Sequence, residues 1–436
     1  MARIRREQDL FDWAEIEDLG DLERLRMVLD VIPDEKLIDV LEEERKGRRD
    51  DYPVWVMWNT LLAGLLYGHP TVESLRRELL RNPSLRRVCG MRAFEGTDDV
   101  PTKDAYSRFL RKLVKHRKMI EDIIDELVEL IRVEVPELGR DLAGDATGVR
   151  TWARGKKDPG ESADPDADWG VKEKVVKKED GSLYKTVKKW FGYKLHLLVD
   201  ASYEIPVGWR VTRASGSEVV EVPELVKEFT DRHPEVATEH LIYDKACDSG
   251  DFIRDMWKEH EIKAVVSMRD MTKDEEREWI VEGTDNIVTN DKGEVYCYTE
   301  DGERKRMAYC GFEASRGTHK YRCPAESYGF ACKDRDICGS SGYGRQVRIR
   351  CEDDWRKFPP VARGTYKWDR LYKKRTSAER VNSRLKKQLG LDDIFLRRMR
   401  KIEVRIGLSI VVLLCLALAQ VRAKKKEWRS LVRVAA

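Results

Sequence analysis

The sequence lacks the features that would place the protein in a membrane or in an oxidising compartment. Its longest apolar run, residues 406–421, has 16 residues and includes Ser409 and Gln420, whereas a membrane-spanning helix needs roughly 20. The basic start MARIRREQDLFDW is not followed by an apolar stretch, so no secretory signal is indicated. The nine cysteines are odd in number and scattered, which favours reduced thiols over a disulfide framework. We therefore expect a cytoplasmic protein in which residues 406–421 form a buried core helix.

The residues that are present indicate a soluble globular chain with an uneven distribution of charge. Its 436 residues are enough for two or three domains, and 37% of them are charged. From residue 361 to the end, 21 Lys and Arg stand against 6 Asp and Glu, whereas the rest of the chain has 62 basic and 74 acidic side chains. Such a basic segment predicts a polyanionic partner, most commonly nucleic acid.

Residues 1–136 carry apolar side chains at helical spacing and predict an all-helical N-terminal domain. Within it, residues 71–120 hold 13 basic and 6 acidic side chains. This charge is compatible with DNA binding by a helical unit, and equally with a helical bundle whose Arg and Lys face water.

Residues 137–269 alternate between strand and helix patterns and predict a mixed sheet flanked by helices. Asp145 lies within the first strand and Asp244 at the end of a later one. The polar stretch 155–189 has no apolar period and is predicted to be a flexible loop with a solvated acidic run. The expected strands are 142–149, 191–200, 205–214, 240–244 and 263–268, and the acidic run is Asp164, Asp166 and Asp168.

The segment 270–360 interrupts this alternation with short strand-like runs and turns, which predict a β-rich insertion. It contains a group of cysteines that would suit a structural Zn²⁺, namely Cys310, Cys323, Cys332 and Cys338. Their spacings are not those of paired C-x2-C knuckles, so buried reduced thiols are the alternative. Residues 361–436 are predicted to complete the preceding domain and to end in a basic tail.

The stretch YKKRTSAERVNSRLK, residues 372–386, places four functional side chains at spacings of 3, 4 and 7. On one helix, Tyr372, Arg375, Glu379 and Lys386 would lie within roughly 60° of one another. The opposite side would carry Lys374, Ala378, Val381 and Leu385, of which the small and apolar members would pack against a core. A solvated charged face is the ordinary explanation of such a run, and the upstream acids favour a functional one.

Asp145, Asp244 and Glu379 come from three separate elements and together form a candidate metal site. Cleavage of a phosphodiester without an organic cofactor needs one or two Mg²⁺ ions, and Mg²⁺ prefers a few carboxylates with water completing its shell. Any three acids among the 80 in the chain would make a triad, so the specificity depends on the local sequences.

Those local sequences resemble the DDE transposases of prokaryotic insertion sequences. The resemblance rests on a Y-x2-R-x3-E-x6-K signature at Tyr372, Arg375, Glu379 and Lys386, which is typical of the insertion-sequence-four-like group. GDATGV around Asp145, the stretch 191–212 and LIYDKACDSG around Asp244 are also similar to the family. Relatives commonly have a glycine or aromatic pair before the later Asp, where this chain has Ala246 and Cys247 before Asp248. Both Asp244 and Asp248 are therefore considered, with Asp244 as the ligand and Asp248 in a capping or supporting role.

The resemblance implies an α/β fold with an RNase H-like catalytic core over 137–269 and 361–436. It also implies that Asp145, Asp244 and Glu379 hold Mg²⁺, for which Mn²⁺ can substitute. Water would then cleave the ends of a mobile element, and the freed 3′-hydroxyl groups would attack target DNA. The expected partners are double-stranded DNA, as terminal inverted repeats and target, and a second copy of the chain, giving a homodimer on two DNA ends.

The resemblance further implies DNA contacts around the carboxylates. Tyr372, Arg375 and Lys386 would hold phosphates beside the scissile bond, and Lys194 is a candidate contact, with a solvent-facing lysine as its alternative. Trp279 and Trp355 are candidates for stacking on a flipped base, and the alternative for both is packing in the core. Two other functions remain open: a different RNase H-like metal-dependent nuclease, and a catalytically silent DNA-binding protein derived from a transposase.

Overall fold

The computed structural model describes residues 20–45, 52–91, 99–177, 183–269, 277–338, 344–392 and 394–423. The N-terminal start of the sequence and the last part of the basic tail, residues 424–436, lie outside these ranges. The described chain divides into two compact units. The first unit comprises residues 1–138, 146–216 and 379–436, and the second comprises residues 139–145 and 217–378.

The first unit is built around one long apolar helix. This helix, α14, spans Met399–Arg422, and sixteen of its residues are buried, including every position from Ile406 to Ala419. Its most apolar window is long enough to cross a membrane, but 83% of that window is buried inside the protein. The prediction of a buried core helix at 406–421 is therefore confirmed. The described residues before 139 form the helices α1 (Glu23–Val31), α2 (Glu35–Glu43), α3 (Val54–Leu66), α4 (Val72–Arg81), α5 (Pro83–Val88), α6 (Lys103–Lys115) and α7 (Arg117–Glu134).

Close helix packing explains why α14 is apolar on all sides. It contacts α1, α3, α6 and α7. At Gly407 a side chain would meet Ile120 of α7 at 3.1 Å and Trp209 at 3.3 Å, so the glycine lets the backbones approach. Helix caps fit the sequence as well, because the Thr71 side chain accepts a hydrogen bond from Ser74 N and thereby caps α4.

The first unit also contains three antiparallel strands of a six-stranded mixed sheet, and here the structure differs from the sequence prediction. Strand β3 (Leu183–Asp200) pairs with β4 (Pro206–Arg213), as expected. It also pairs along ten residues with β2 (Asp168–Lys177), so much of the polar stretch 155–189 is a β-hairpin and not a flexible loop. The prediction failed because the β3 residues from Tyr184 to Lys189 are all exposed, and main-chain hydrogen bonds rather than an apolar face define this hairpin.

The second unit contains parallel strands with helices, followed by two small sheets. Strand β1 (Asp141–Arg150), which begins in this unit, pairs in parallel with β5 (His240–Tyr243), and β5 pairs in parallel with β6 (Lys263–Val266). The helices are α8 (Glu218–Arg232), α9 (Gly250–His260), the short α10 (Pro324–Tyr328) and α11 (Arg335–Cys338), and α12 (Tyr366–Lys373). The mixed α/β class predicted from the sequence is confirmed.

The two small sheets lie between Glu278 and Arg350, where the sequence predicts strands. One sheet has the order β10-β9-β8-β7 and the other β11-β12-β13. They share a core that contains Ile287, Tyr321, Ile349 and Phe358. The strands are β7 (Glu278–Ile280), β8 (Ile287–Asn290), β9 (Val295–Tyr298), β10 (Arg304–Arg306), β11 (Ala308–Glu313), β12 (Thr318–Arg322) and β13 (Gln346–Arg350).

The signature stretch 372–386 is not one continuous helix, contrary to the sequence prediction. Helix α12 ends at Lys373 and α13 spans Thr376–Lys387. Between them the backbone turns more tightly, with Arg375 N bonded to Tyr372 O at 3.0 Å and Ser377 N to Lys374 O at 3.0 Å. A single helical wheel therefore does not describe the positions of Tyr372 and Arg375 relative to Glu379 and Lys386.

Candidate active site

Asp145 and Asp244 lie at the same level on neighbouring parallel strands. The β1–β5 register pairs Asp141 with His240 and Ala143 with Ile242. Continuing this register by two residues brings Asp145 level with Asp244, which directly follows the last residue of β5. Since neighbouring strands are about 4.8 Å apart, this continuation of the register predicts that the two side chains lie close together at the edge of the sheet where β5 ends. Both residues are partly exposed.

The negative charge at this edge reaches the buried hydroxyl of Tyr243. Burial raises the pKa of Tyr243 well above its usual value, and the nearby charges of Glu218, Asp145 and Asp244 add to the rise. Glu218, the first residue of α8, is an acid that the sequence analysis missed. Its only sequence signal is an acidic residue in the first turn of a helix, which is common at helix starts. At least three carboxylates therefore lie near the Tyr243 hydroxyl.

The loop after Asp244 is held by hydrogen bonds to two of its acids. Asp244 Oδ1 accepts from Ala246 N at 2.7 Å and caps the tight turn Lys245–Cys247. Asp248 does not cap α9, since Ser249 stands at the N-cap position and Asp248 Oδ2 accepts from Arg269 N at 2.7 Å and from Arg356 Nε at 2.8 Å, with Arg356 Nη2 at 2.6 Å. The side chain of Asp248 is fully buried and paired, whereas Asp244 is partly exposed at the strand end.

A chain of contacts runs from Asp248 to the first half of the signature. Arg363 Nη2 lies 3.8 Å from Asp248 Oδ1, and its guanidinium lies 5.9 Å from the ring centroid of Trp368. Trp368 stacks on Tyr372, with ring centroids 4.8 Å apart and planes 14° from parallel. Arg375 in turn lies 5.8 Å from the Tyr372 ring. Tyr372 and Arg375 are thus positioned by packed neighbours in the second unit.

Lys374 lies at the break in the signature helix and is paired with an acid far away in the sequence. Its Nζ donates a 2.5 Å hydrogen bond to Asp141 Oδ2, and His240 Nδ1 lies 2.8 Å from Asp141 Oδ1. Burial opposes the ionisation of Asp141, but hydrogen bonds from His240 and Lys374 outweigh it and hold the pKa of Asp141 well below its usual value. The sequence analysis assigned Lys374 to a rear face and missed this cluster, because its members are far apart in sequence.

Glu379 and Lys386 lie on α13 in the first unit. Glu379 is exposed, and Lys386 Nζ lies 3.6 Å from Asp392 Oδ1. The helix buries Val381 and Leu385 completely, as the sequence predicts. Ion pairs between Glu204 and both Arg380 and Arg384 anchor the helix along one side of its buried face. Because Asp145 and Asp244 belong to the second unit, their grouping with Glu379 stays a prediction.

Lys194, the other predicted DNA contact, donates a 2.7 Å hydrogen bond to Gly216 O. Its neighbour His196 is buried beside Thr212, and burial together with Lys194 and Arg210 lowers the pKa of His196 to about 4. Lys194 is therefore held by the fold, which favours a structural role.

The predicted base-stacking tryptophans each lie beside a lysine. Lys357 Nζ is 3.5 Å from the Trp279 ring centroid, and Lys258 Nζ is 5.8 Å from that of Trp355. Trp279 is 40% exposed.

The acidic run before β2 is not solvated as expected, since Asp164 is fully buried and accepts 2.9 Å hydrogen bonds from the Tyr193 hydroxyl.

The cysteines do not form the predicted zinc site. Within the described ranges, no group of three or more His, Cys, Asp or Glu side chains is arranged to hold a metal ion. Cys310 is exposed on β11, whereas Cys323, Cys332 and Cys338 line a small cavity together with Cys297. All nine cysteines are free, and burial raises the pKa of Cys297 to about 11. The geometry favours the alternative of reduced thiols, although Cys310 is exposed and the other three predicted ligands are only partly buried.

Comparison with known families identifies the class of the protein. A family model described as Transposase DDE domain matches residues 139–415, and another described as Transposase domain (DUF772) matches residues 8–112. The first match covers more than half of the chain, so the chain belongs to the DDE transposase domain family. A comparison with curated proteins gives no match.

One solved structure with similarity to this chain is the cryo-EM structure of a piggyBac transposase synaptic complex with hairpin DNA. The similarity covers 96% of this chain and 79% of that one, with 11% sequence identity and a TM-score of 0.38. So low a TM-score supports no conclusion about the fold or the function of this chain.

Proposed function

We propose that the protein is a DNA transposase that cleaves phosphodiester bonds at the ends of a mobile element and joins the 3′-hydroxyl ends to target DNA. The observation that carries the proposal is the shared level of Asp145 and Asp244 at one sheet edge, in a chain that matches the DDE family over residues 139–415. Membership of the insertion-sequence-four-like group and an RNase H-like core belong to the same proposal.

Asp145, Asp244 and Glu379 are proposed to hold Mg²⁺, with Mn²⁺ as a substitute. Their carboxylate oxygens fit the preference of these hard cations, and the electronegative surroundings of Tyr243 suit a cation. When bound, the metal would neutralise phosphate charge and favour formation of the attacking oxygen nucleophile. Glu218 lies close enough to add charge to the same edge.

The signature side chains are proposed to orient the DNA. Arg375 would bind a phosphate through two parallel hydrogen bonds, and Lys386 would act as a point charge. The stack of Tyr372 on Trp368 would hold the tyrosine hydroxyl beside the same backbone. These residues would hold the scissile phosphate at one position relative to the carboxylates. Such positioning raises the rate of the cleavage reaction.

The partners and organisation follow from this function. Terminal inverted repeats and target DNA are the proposed substrates, and a homodimer would bring two element ends together in the cytoplasm. Residues 1–136 are proposed as a helical DNA-binding domain and 270–360 as the insertion in a catalytic core made of 137–269 and 361–436. The basic residues of the last segment would contact the DNA backbone.

The test is cleavage and strand transfer with DNA taken from both flanks of the coding region. Asp145→Asn, Asp244→Asn and Glu379→Gln should each abolish Mg²⁺-dependent cleavage while retaining DNA binding. Asp251→Asn is the matched control, because Asp251 is exposed on α9 and paired only with its neighbour Arg254 among the contacts described. Cleavage by all three variants at the parental rate would refute the assignment. Cleavage without joined products would indicate another nuclease, and binding without cleavage a silent DNA-binding protein.

A further inference from the structure

A groove with an apolar floor lies among the helices of the first unit. Its volume is about 620 Å³, within the range of roughly 300–1,000 Å³ that is typical of ligand sites. The walls come from α3, α4, α6, the start of α14 and the loop 394–396. Each of the four helices contributes apolar side chains to the floor, among them Leu61, Leu75, Leu110 and Leu408. An apolar groove of this size on a protein surface marks an interaction site.

The rim of this groove is basic. Lys103 and Arg111 stand on α6, and Lys401 stands near the start of α14, and all three are exposed. Among the side chains that line the groove in the described part of the chain, Glu73 is the one carboxylate, and Arg76 lies 3.2 Å from it. The groove therefore suits a ligand that combines apolar side chains with negative charge.

The first described residues are held at the end of α3, which forms one wall of the groove. The Tyr67 hydroxyl donates a 3.1 Å hydrogen bond to Asp21 O. Tyr67 directly follows α3 and comes two residues after Leu65, which lines the groove. An extended chain advances about 3.3 Å per residue, so six residues before Gly20 span about 20 Å. The residues that precede Gly20 are therefore within reach of the groove.

Residues 7–19, EQDLFDWAEIEDL, have the composition that the groove requires. They contain six Asp or Glu and no Lys or Arg. Residues 424–436, the other terminal stretch outside the described ranges, contain five Lys or Arg and one Glu, so like charges would face the basic rim. Charge complementarity therefore selects the N-terminal segment. Its large apolar side chains are Leu10, Phe11, Trp13, Ile16 and Leu19.

We propose that residues 7–19 of the same chain occupy this groove, with their apolar side chains against its floor and their carboxylates beside its basic rim. The inference goes beyond the proposed transposase function and does not depend on it. Burial of apolar surface on both sides supplies the affinity, and the opposite charges select the partner. A DNA duplex would suit the basic rim but not the apolar floor. A second copy could insert only its own acidic segment, because two basic rims repel each other.

The test measures the binding of a fluorescein-labelled peptide of residues 7–19 to the full-length protein by fluorescence anisotropy. In the wild type, the chain's own segment competes with the peptide at an effective concentration on the order of 1 mM. The double variant Phe11→Ser, Trp13→Ser weakens this competitor, so it should bind the peptide at least about tenfold more tightly than the wild type does. A control peptide that carries both substitutions should bind neither protein.

Charge reversal at the rim tests the electrostatic part of the proposal. Added to the double variant, Lys103→Glu and Arg111→Glu should together weaken peptide binding about tenfold and flatten its dependence on salt. Both side chains are exposed, so the fold should be retained. Lys36→Glu is the matched control, since Lys36 is exposed on α2 and does not line the groove, and it should leave peptide binding unchanged. If circular dichroism shows that the α6 variant misfolds, Lys401→Glu on α14 tests the same rim.

Several outcomes would overturn the proposal. Equal peptide affinity of the wild type and the double variant would show that the segment does not occupy the groove. Undiminished peptide binding after charge reversal would show that the peptide binds elsewhere. A wild-type dimer in sedimentation that the double variant loses would place the segment in the groove of a second copy. Loss of duplex DNA binding in the rim variants, with peptide binding retained, would assign the rim to DNA instead.

Discussion

Arg356 forms an ion pair with one carboxylate oxygen of Asp248, across 108 residues of sequence, and its Nε donates a hydrogen bond to that oxygen. The Nε and Nη2 atoms lie 2.8 and 2.6 Å from Asp248 Oδ2. The Asp248 side chain is fully buried and Arg356 is 24% exposed. This ion pair joins the loop after Asp244 to the segment that leads into α12. It therefore ties the second acid of the candidate site to the residues that precede Tyr372.

Breaking this pair should destabilise the protein strongly. Removal of one partner leaves a buried charge uncompensated, for which we expect a loss of about 3–5 kcal/mol in the free energy of unfolding of Asp248→Ala or Arg356→Met. Denaturant unfolding provides the measurement. The control is the exposed pair of Arg254 and Asp251, where Asp251→Ala should cost no more than about 1 kcal/mol. If the variants at the two sites lost the same free energy of unfolding, the buried pair would stabilise the protein no more than the exposed pair does.

The cluster of Asp141, His240 and Lys374 predicts a dependence of stability on acidic pH. The pKa of Asp141 is lower in the folded protein than its usual value. Its contribution is therefore present above the unfolded pKa of about 3.9 and is lost as the pH falls towards the folded pKa. Wild type should lose about 2–3 kcal/mol more than Asp141→Asn over this range. Unfolding free energies measured from pH 5 downwards would test this, and parallel profiles would contradict it.

Two buried histidines predict a second pH dependence at higher pH. Burial lowers the pKa of both His196 and His319 to about 4. Between about pH 6.5 and 4 the unfolded chain binds protons that these folded imidazoles do not, so stability falls as the pH drops through that window. Each histidine should account for about 3 kcal/mol of the fall. His196→Gln and His319→Gln should each flatten the profile, and an unchanged slope in both would contradict the prediction.

Sequence reasoning succeeded where a local pattern determines the structure. The alternation in 191–200 predicts the pairing of β3 with β4, and the apolar run at 406–421 predicts a buried helix. Asp145 in a strand and Asp244 at a strand end were also predicted. Their common level was not, because register depends on how two strands pair and not on either strand alone.

The sequence predictions that failed have a common physical cause, namely contacts between residues that are far apart in the sequence. The helix break at Lys374 and Arg375 coincides with the ion pair between Lys374 and Asp141, which are 233 residues apart. The β2–β3 hairpin depends on a backbone ladder between two charged strands and leaves little hydrophobic signal. The stack of Trp368 on Tyr372 and the roles of Arg356 and Arg363 likewise require the folded chain.

The carboxylate of Glu204 holds two arginines of α13, so its removal should destabilise the protein. It pairs with Arg380 and Arg384, and its side chain is 10% exposed. Arg384 is 11% exposed, so Glu204→Ala would leave its guanidinium in a poorly hydrated place at a cost of about 3–5 kcal/mol. Glu173→Ala is the control, since its pair with Lys185 is more than half exposed at both ends and should contribute under about 1 kcal/mol. In a double-mutant cycle, Arg384→Met should recover part of the Glu204→Ala loss, whereas additive losses would show that the two side chains do not interact.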